Sequence, residues 1–418
     1  MNAKEFLNGL LYSRSEIDDW LSGRSFPFSK YDPDLGFLHR DRRCRDGIDG
    51  SESTYTYDRR TGARRTINHA EEPCRINTYG DSYTSCEQGN DGETWQEVLA
   101  ARLGEPIRNF GVGSYSVYQT YLRMKREESS TPAKYIIINI YDDDLVRNLV
   151  GWQRIRVRWW GTQHPGPPQP YVKANPATKE FREYKNPCPE PEDLYDFCDL
   201  DRAYERFKDD FLLRIMLAKT NALNGTPAES YRDIEELAEE YGVGTKIGTS
   251  KKLLETANAL YTRSAVYASM RIMEKAEEFA SSEGKKVLYI ASYSTSSVGD
   301  RLNPGHGSKV PEMRRPGNSY NESFARFMRK KGRRHVDLME AHLKDFSRRR
   351  LSILSYLEEF YVVPQECTTH YSPQGNRFTA LAAKDKLVEM LDPKPSSYLR
   401  AGSSDAWDTC VSLDRVAQ

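Results

Sequence analysis

The sequence predicts an α/β protein in which a parallel sheet is interrupted by a long, mostly helical insertion. Three observations carry this reading. Tyr135–Tyr141 reads YIIINIY, the continuous apolar run that a strand needs when both of its faces are covered. Strand and helix patterns alternate ahead of it with short loops, the order that builds parallel sheets. Far downstream the strand signature returns at residues 286–293 as KVLYIASY.

The elements follow in order. Residues 1–25 read as a short helical lead. Residues 30–75 are rich in Asp, Arg, Gly and Tyr, and STYTYDRRTGARRTI within them alternates and turns at Thr61-Gly62, the pattern of a hairpin. Residues 75–79 form a short strand ending at Gly80-Asp81-Ser82. A helix from about residue 93 carries Trp95, Val98, Leu99 and Leu103 on one face and stops at Gly104. A second strand spans 107–110 and a helix 115–128. From 151 to 189 prolines are dense enough to stop helices and central strands, so an irregular surface excursion is expected. Helical stripes follow: Tyr204, Phe207, Phe211 and Ile215 form one, and Ile234, Leu237, Ala238 and Tyr241 a second. A longer helix runs from 250 to 281 and ends by Gly284. A polar loop over 294–320, a helix at 321–331, a strand at 334–340 and a last helix at 378–391 complete the core. The organisation is therefore an N-terminal extension with a β-hairpin (1–74), an α/β core in two pieces (75–150 and 282–395), a Pro-rich and helical insertion (151–281) and a loosely held tail (396–418).

Composition excludes several classes. Among 418 residues, 61 Lys and Arg balance 61 Asp and Glu, so no global field exists to hold nucleic acid. An aromatic content of 11% argues against wholesale disorder. No apolar run approaches the roughly 18–20 residues of a membrane span. The start of the chain shows no h-region or small-residue cleavage site, so a cytoplasmic location is expected. The cysteine count is odd, seven, and no pair has CxxC spacing, which argues for free thiols over disulfides or a zinc ribbon.

Three blocks carry the chemistry. Tyr79-Gly80-Asp81-Ser82-Tyr83-Thr84 follows a strand directly, and a serine on such a tight turn is held out at the sheet's end, where a base and a substrate can reach it. Asp-Ser at a turn is also ordinary capping chemistry. Asn109-Phe110-Gly111-Val112-Gly113-Ser114-Tyr115 places a small-residue turn after the second strand, able to aim backbone N–H groups at a developing oxyanion or simply to join strand and helix. Near the C-terminus, Thr369-His370-Tyr371-Ser372-Pro373 puts a histidine on a loop just before the last helix.

Together, in this order, the blocks resemble the SGNH/GDSL hydrolase superfamily over roughly residues 75–150 and 285–395. The resemblance implies a flavodoxin-like three-layer α/β/α sandwich and ester hydrolysis through an acyl-serine intermediate. It also implies Ser82 as nucleophile and His370 as general base, with the oxyanion met by backbone N–H groups of Ser82 and the Gly113-Ser114 turn. Two departures stand out. The third block usually carries Gly-x-Asn-Asp, whereas this chain has Tyr141-Asp142-Asp143-Asp144, with Asp143 in the position of the Asn that donates to the oxyanion. The last block usually reads Asp-x-x-His, and here Cys367 replaces the orienting carboxylate, with Glu366 one residue out of phase. A neutral thiol cannot stabilise imidazolium as a carboxylate does, so Glu366, Cys367 or a backbone carbonyl are the candidates for the third member.

Other features have plainer roles. Arg147, Arg154 and Arg156 could neutralise the Asp cluster or hold an anionic substrate. Trp159, Trp160 and Arg147 are candidates for the substrate entrance, with Trp152 beside them. Three consecutive carboxylates cannot all face one ion, so no metal and no cofactor are expected. The basic runs at 329–334 and 348–350 read as solvated helix ends. The expected activity is a serine esterase acting on an O-acyl ester, O-acetyl included, of a small polar molecule or carbohydrate, without nucleic-acid or membrane partners. The sequence is silent on oligomeric state. A non-catalytic binding protein on the same fold and an O-acyltransferase using the same Ser–His dyad are the alternatives.

Overall fold

The YIIINIY run is the middle strand of a five-stranded sheet in the computed structural model, which describes residues 1–26, 28–157, 165–225, 229–244, 246–303, 321–362 and 369–399. The strands are His335–Asp337, Lys286–Ser292, Tyr135–Tyr141, Ile76–Tyr79 and Arg108–Asn109, in that order across the sheet, and every pairing is parallel. Counted along the chain the order is 2-1-3-4-5, that of a flavodoxin-like doubly wound sheet. Its strand order reverses between Ile76–Tyr79 and Tyr135–Tyr141, where ligands characteristically bind, beyond the carboxyl ends of the strands.

Alternation along the middle strand explains the layers. Ile136, Ile138 and Ile140 join one core with Val117, Tyr121 and Met124 of the Val117–Ser130 helix and Leu260 and Ala268 of the Ser250–Ser282 helix. Tyr135, Ile137 and Tyr141 face a second core with Trp95 and Leu99 of the Trp95–Leu103 helix and Ala380, Ala383 and Leu387 of the Pro373–Met390 helix. Each such isoleucine contributes about 1.5–3 kcal/mol on burial, so apolar residues at successive positions are stable only because helices cover both sides.

Several expectations need correction. The hairpin over STYTYDRRTGARRTI forms only around its turn, where Tyr57 bridges Arg64 antiparallel, Asp58 N donates to Ala63 O at 2.8 Å and Arg65 N to Thr56 O at 2.7 Å, while Ser53–Tyr55 pairs instead with the earlier Arg42–Cys44. The physical reason is Arg64, 1% exposed, whose side chain is drawn into the core to serve backbone carbonyls, while its backbone bridges to Asn109. The Pro-rich excursion is not simply irregular. It contains an antiparallel pair, Tyr171–Asn175 with Glu180–Tyr184, and the fully buried Trp152, because YVKAN and EFREY alternate between the prolines. The Tyr204-to-Ile215 stripe is two helices, Leu200–Phe207 and Phe211–Leu223, separated where the Asp210 side chain caps the second by accepting from Leu213 N. The loop expected from 294 begins with the helix Thr295–Leu302, capped by Ser294. The last core helix begins at Pro373, earlier than expected, with Ser372 as its cap and proline at a first-turn position. Helices Leu338–Phe346 and Ile353–Phe360 were not anticipated.

Candidate active site

The first core strand ends at Tyr79, and Gly80 turns the chain. Its φ is +156°, and a Cβ there would sit 2.1 Å from Thr84 Oγ1 and 2.5 Å from Asn139 O, so only glycine fits. Asp81 then caps the short helix Ser82–Ser85, its carboxylate accepting from Tyr83 N at 2.9 Å. Ser82 is thus the first helical residue, at the carboxyl end of the sheet and at its switch point. Arg64 caps the other end, donating to Ser85 O, to Cys86 O at 2.9 Å and to Gly89 O at 2.6 Å. The turn that carries Ser82 is clamped at both ends.

The second block presses on this turn. Phe110 N donates to Thr78 O at 2.9 Å and Val112 N to Gly80 O at 3.1 Å. A Cβ on Gly111 would lie 2.2 Å from Ser85 N, so a glycine is required for this approach. The N–H of Gly113, next in line, has no hydrogen-bond partner among the described residues, and neither does that of Ser82. Ser114 takes a positive φ of 67° and lines a cavity of about 10 Å³, room for a single water, with Arg147, Gln153 and Arg156.

The Asp142-Asp143-Asp144 run splays to three different partners. Asp142 accepts from Ser297 Oγ at 2.5 Å, and burial pushes its carboxyl up to about 7. Asp143 accepts from Arg147 Nε at 2.9 Å and from Arg156 Nη2 at 2.5 Å. Asp144 accepts from Tyr141 N at 3.0 Å and Arg147 Nη1 at 2.9 Å. Arg147 Nη1 reaches Asp81 as well, at 3.2 Å. Burial and the facing Asp81 hold Asp144 well above the ordinary carboxylate range, and burial raises Asp81 as well. Asp81, Asp143 and Asp144 thus all face the Arg147 guanidinium, with Arg156 on Asp143 as a second cation. Of the two uses foreseen for these arginines, neutralising the Asp cluster is the one Arg147 and Arg156 serve here; Arg154 instead pairs with Glu16 at 2.9 Å.

His370 comes from the far end of the chain. Its segment is tied down by Tyr83 Oη, which donates to Thr369 O at 2.9 Å, and by Val362 N, which donates to His370 O at 2.9 Å. The imidazole lies 5.3 Å from the Tyr83 ring, centroid to centroid. Burial pushes its pKa down to about 4, against the opposing pull of Asp81, so the ring is neutral at pH 7 and able to accept a proton. Ser82 Oγ donates to Asp81 Oδ2 at 3.2 Å and makes no hydrogen bond to His370. Glu366, Cys367, Trp159 and Trp160 lie outside the described residues.

Two neighbours of His370 were missed by the sequence reading. Gln88 presents its side-chain oxygen to the His370 backbone N–H at 2.9 Å and to Nδ1 at 3.1 Å. Glu87 Oε2 is 3.9 Å from His370 Nε2, while its Oε1 is 3.8 Å from Nε2 of the buried His39. Burial raises the Glu87 carboxyl, opposed by Arg42. The available signal was the polar pair Glu87-Gln88 within the segment leaving the serine's turn. Beyond His39 opens a cavity of about 220 Å³, lined by Lys30, Arg40, Arg59 and Arg123 together with Tyr57 and Asp58.

No protein-family model matches this chain, and no curated protein matches it. Among solved structures it is similar to a protein described as belonging to the lipolytic G-D-S-L family from Desulfitobacterium hafniense DCB-2, at 11% identity and TM-score 0.32, covering 74% of this chain and 98% of the other. It is also similar to a member of the lipolytic protein G-D-S-L family from Veillonella parvula DSM 2008, at 12% identity and TM-score 0.33, covering 76% and 98%. At these scores the likeness assigns neither family nor activity to this chain.

Proposed function

We propose that this chain is a serine esterase that cleaves an O-acyl ester of a polar, carbohydrate-like substrate through an acyl-serine intermediate. The observation that carries the reading is a serine on a clamped strand-to-helix turn at the switch point of the sheet, whose neighbour Tyr83 packs its ring 5.3 Å from that of a buried neutral histidine from the opposite end of the chain. The order of the sequence blocks supports it independently. In the reaction Ser82 Oγ leaves Asp81 and gives its proton to His370 as it attacks the carbonyl carbon. The uncommitted N–H groups of Ser82 and Gly113 receive the oxyanion. His370 then protonates the leaving alkoxide, and water repeats the sequence to release the acid. Asp143, held by two guanidinium groups, serves as a counter-charge in this scheme rather than as a donor. The cavity lined by Lys30, Arg40, Arg59 and Tyr57 lies on the far side of His39, which reaches His370 only through Glu87, and its polar lining favours a polar substrate over an acyl chain. Among the described residues no helix is long and apolar enough to cross a membrane.

A second reading, a non-catalytic binding protein, draws on one observation: Ser82 Oγ is bonded to Asp81 and not to His370. Fluorophosphonate labelling decides between them. Modification that maps to Ser82 and disappears in Ser82→Ala is the expected result; a folded protein that stays unlabelled from pH 5 to 9 is a binding module.

A further inference from the structure

The His370 backbone N–H can only donate a hydrogen bond, so the Gln88 atom 2.9 Å from it is the amide oxygen, whichever way the amide is drawn. That same oxygen lies 3.1 Å from His370 Nδ1. An amide oxygen can only accept, so Nδ1 must carry the proton. The Nε2 lone pair is then left open.

Holding this oxygen in place takes construction. Gln88 sits at φ +68°, a left-handed conformation uncommon for a side chain other than Gly or Asn. Its own N–H donates to Tyr55 Oη at 2.6 Å, and Tyr55 Oη donates in turn to Asp46 at 2.8 Å. Tyr55 is 1% exposed and Gln88 6%, so the N-terminal strand Ser53–Tyr55 braces the strained residue from behind.

We infer that Gln88 is the positioning residue of His370, fixing the imidazole as the Nδ1–H tautomer with Nε2 available to take the Ser82 proton. In a catalytic triad a carboxylate does this; here a neutral amide does it, through one oxygen that accepts from both the backbone and the ring of the same histidine. The catalytic consequence rests on the Ser82–His370 reading proposed above, but the tautomer does not. A neutral orienter also leaves the imidazolium without an added charge at Nδ1. The charged groups that face it are Asp81, Glu87, Asp46, Arg42 and Arg147.

The test is ¹⁵N NMR of the full chain labelled at histidine, with the His370 signals identified by their loss in His370→Phe. The expected wild-type result at pH 7 is a protonated Nδ1 and an unprotonated Nε2. Gln88→Met, of similar volume but unable to accept, should shift the ring toward the Nε2–H form and lower kcat for a short aryl ester more than it changes KM. The loss should be at least tenfold, up to the roughly 10⁴-fold cost of a misplaced tautomer. Gln88→Glu should restore the Nδ1–H form and move the acid limb of kcat/KM to higher pH, which a purely structural role would not do. A wild-type His370 protonated at Nε2 overturns the inference with no variant required, as does a Gln88→Met protein with unchanged tautomer and unchanged pH profile. An Nδ1–H ring in a protein that no fluorophosphonate labels supports the positioning role and rejects the esterase.

Discussion

Two histidines of this chain, His342 and His370, are both buried and both held neutral, yet their surroundings have almost nothing in common. His342 is fully buried among rings: Phe378 stacks on it at 4.6 Å, with Phe360, Tyr356 and Tyr361 within 6.0 Å. Burial alone pushes its pKa down, to about 3. His370 feels a similar push, to about 4, but Asp81 and Asp46 pull against it. An imidazolium formed at His342 meets no counter-charge among the described residues, whereas one formed at His370 meets the carboxylates of Asp81 and Asp46. Burial makes a histidine neutral; only the pattern of charge around it makes the neutral form useful.

The comparison breaks most simply by mutation. Ser82→Ala and His370→Ala should each lower kcat/KM for a short-chain aryl ester by about 10⁴ or more, and the double variant should be no worse than either single one. His342→Leu should leave kcat within a few-fold while lowering stability. Activity lost at His342 in a folded protein, with His370 indifferent, would reverse the assignment.

Acid sharpens the same contrast. Both histidines have folded pKa values below the ordinary 6.5, so the stability they contribute is complete above pH 6.5 and is lost as pH falls toward about 4 for His370 and about 3 for His342. The full losses are about 3 and about 5 kcal/mol respectively. Urea unfolding at several pH values should show a shallower acid loss in His342→Leu than in wild type; identical slopes would mean that His342 is not held neutral.

Asp142 runs the other way. Its carboxyl is raised from the usual 3.8 to about 7, so the protonated form belongs to the folded state, and stability is lost as pH rises from about 4 to 7. Wild type should lose about 4 kcal/mol relative to Asp142→Asn over that window. A difference that stays constant with pH would show that Asp142 ionises normally. The smallest effect is expected at Asp143, where Asn leaves Arg156 without its carboxylate while Arg147 keeps Asp81 and Asp144. The cost should be about 2 kcal/mol of stability, with kcat nearly unchanged. A large loss of kcat there would bring Asp143 back to the oxyanion.

The legible parts of the fold are those set by local pattern. Tyr135–Tyr141 has the bounds its apolar run predicts, the Trp95–Leu103 helix stops at Gly104 in the left-handed conformation, and Ser250–Ser282 ends one residue beyond expectation, just before Gly284. The turn at Thr61-Gly62 was legible, but its hairpin stays short because a turn signal says where the chain reverses, not which strand it then pairs with. Arg64 was attracted to the carbonyls around Ser85, an interaction no local pattern encodes. In the site, Ser82 and His370 were legible as motif positions, while Glu87 and Gln88 carry no motif and matter only through what they touch.

The sequence by itself determined the alternation of strand and helix, the tight turn that presents Ser82, and the placing of a histidine before the last helix. Backbone propensity, side-chain period and capping chemistry act over a few residues and are written there. Tertiary structure alone decided the strand order that makes Ser82's turn a switch point, the buried Asp–Arg cluster, and the meeting of Gln88 with His370 across the molecule. The reason is physical: burial, pairing of charges and the direction of a single hydrogen bond depend on which distant segments share one low-dielectric space, and that is settled only when the layers close.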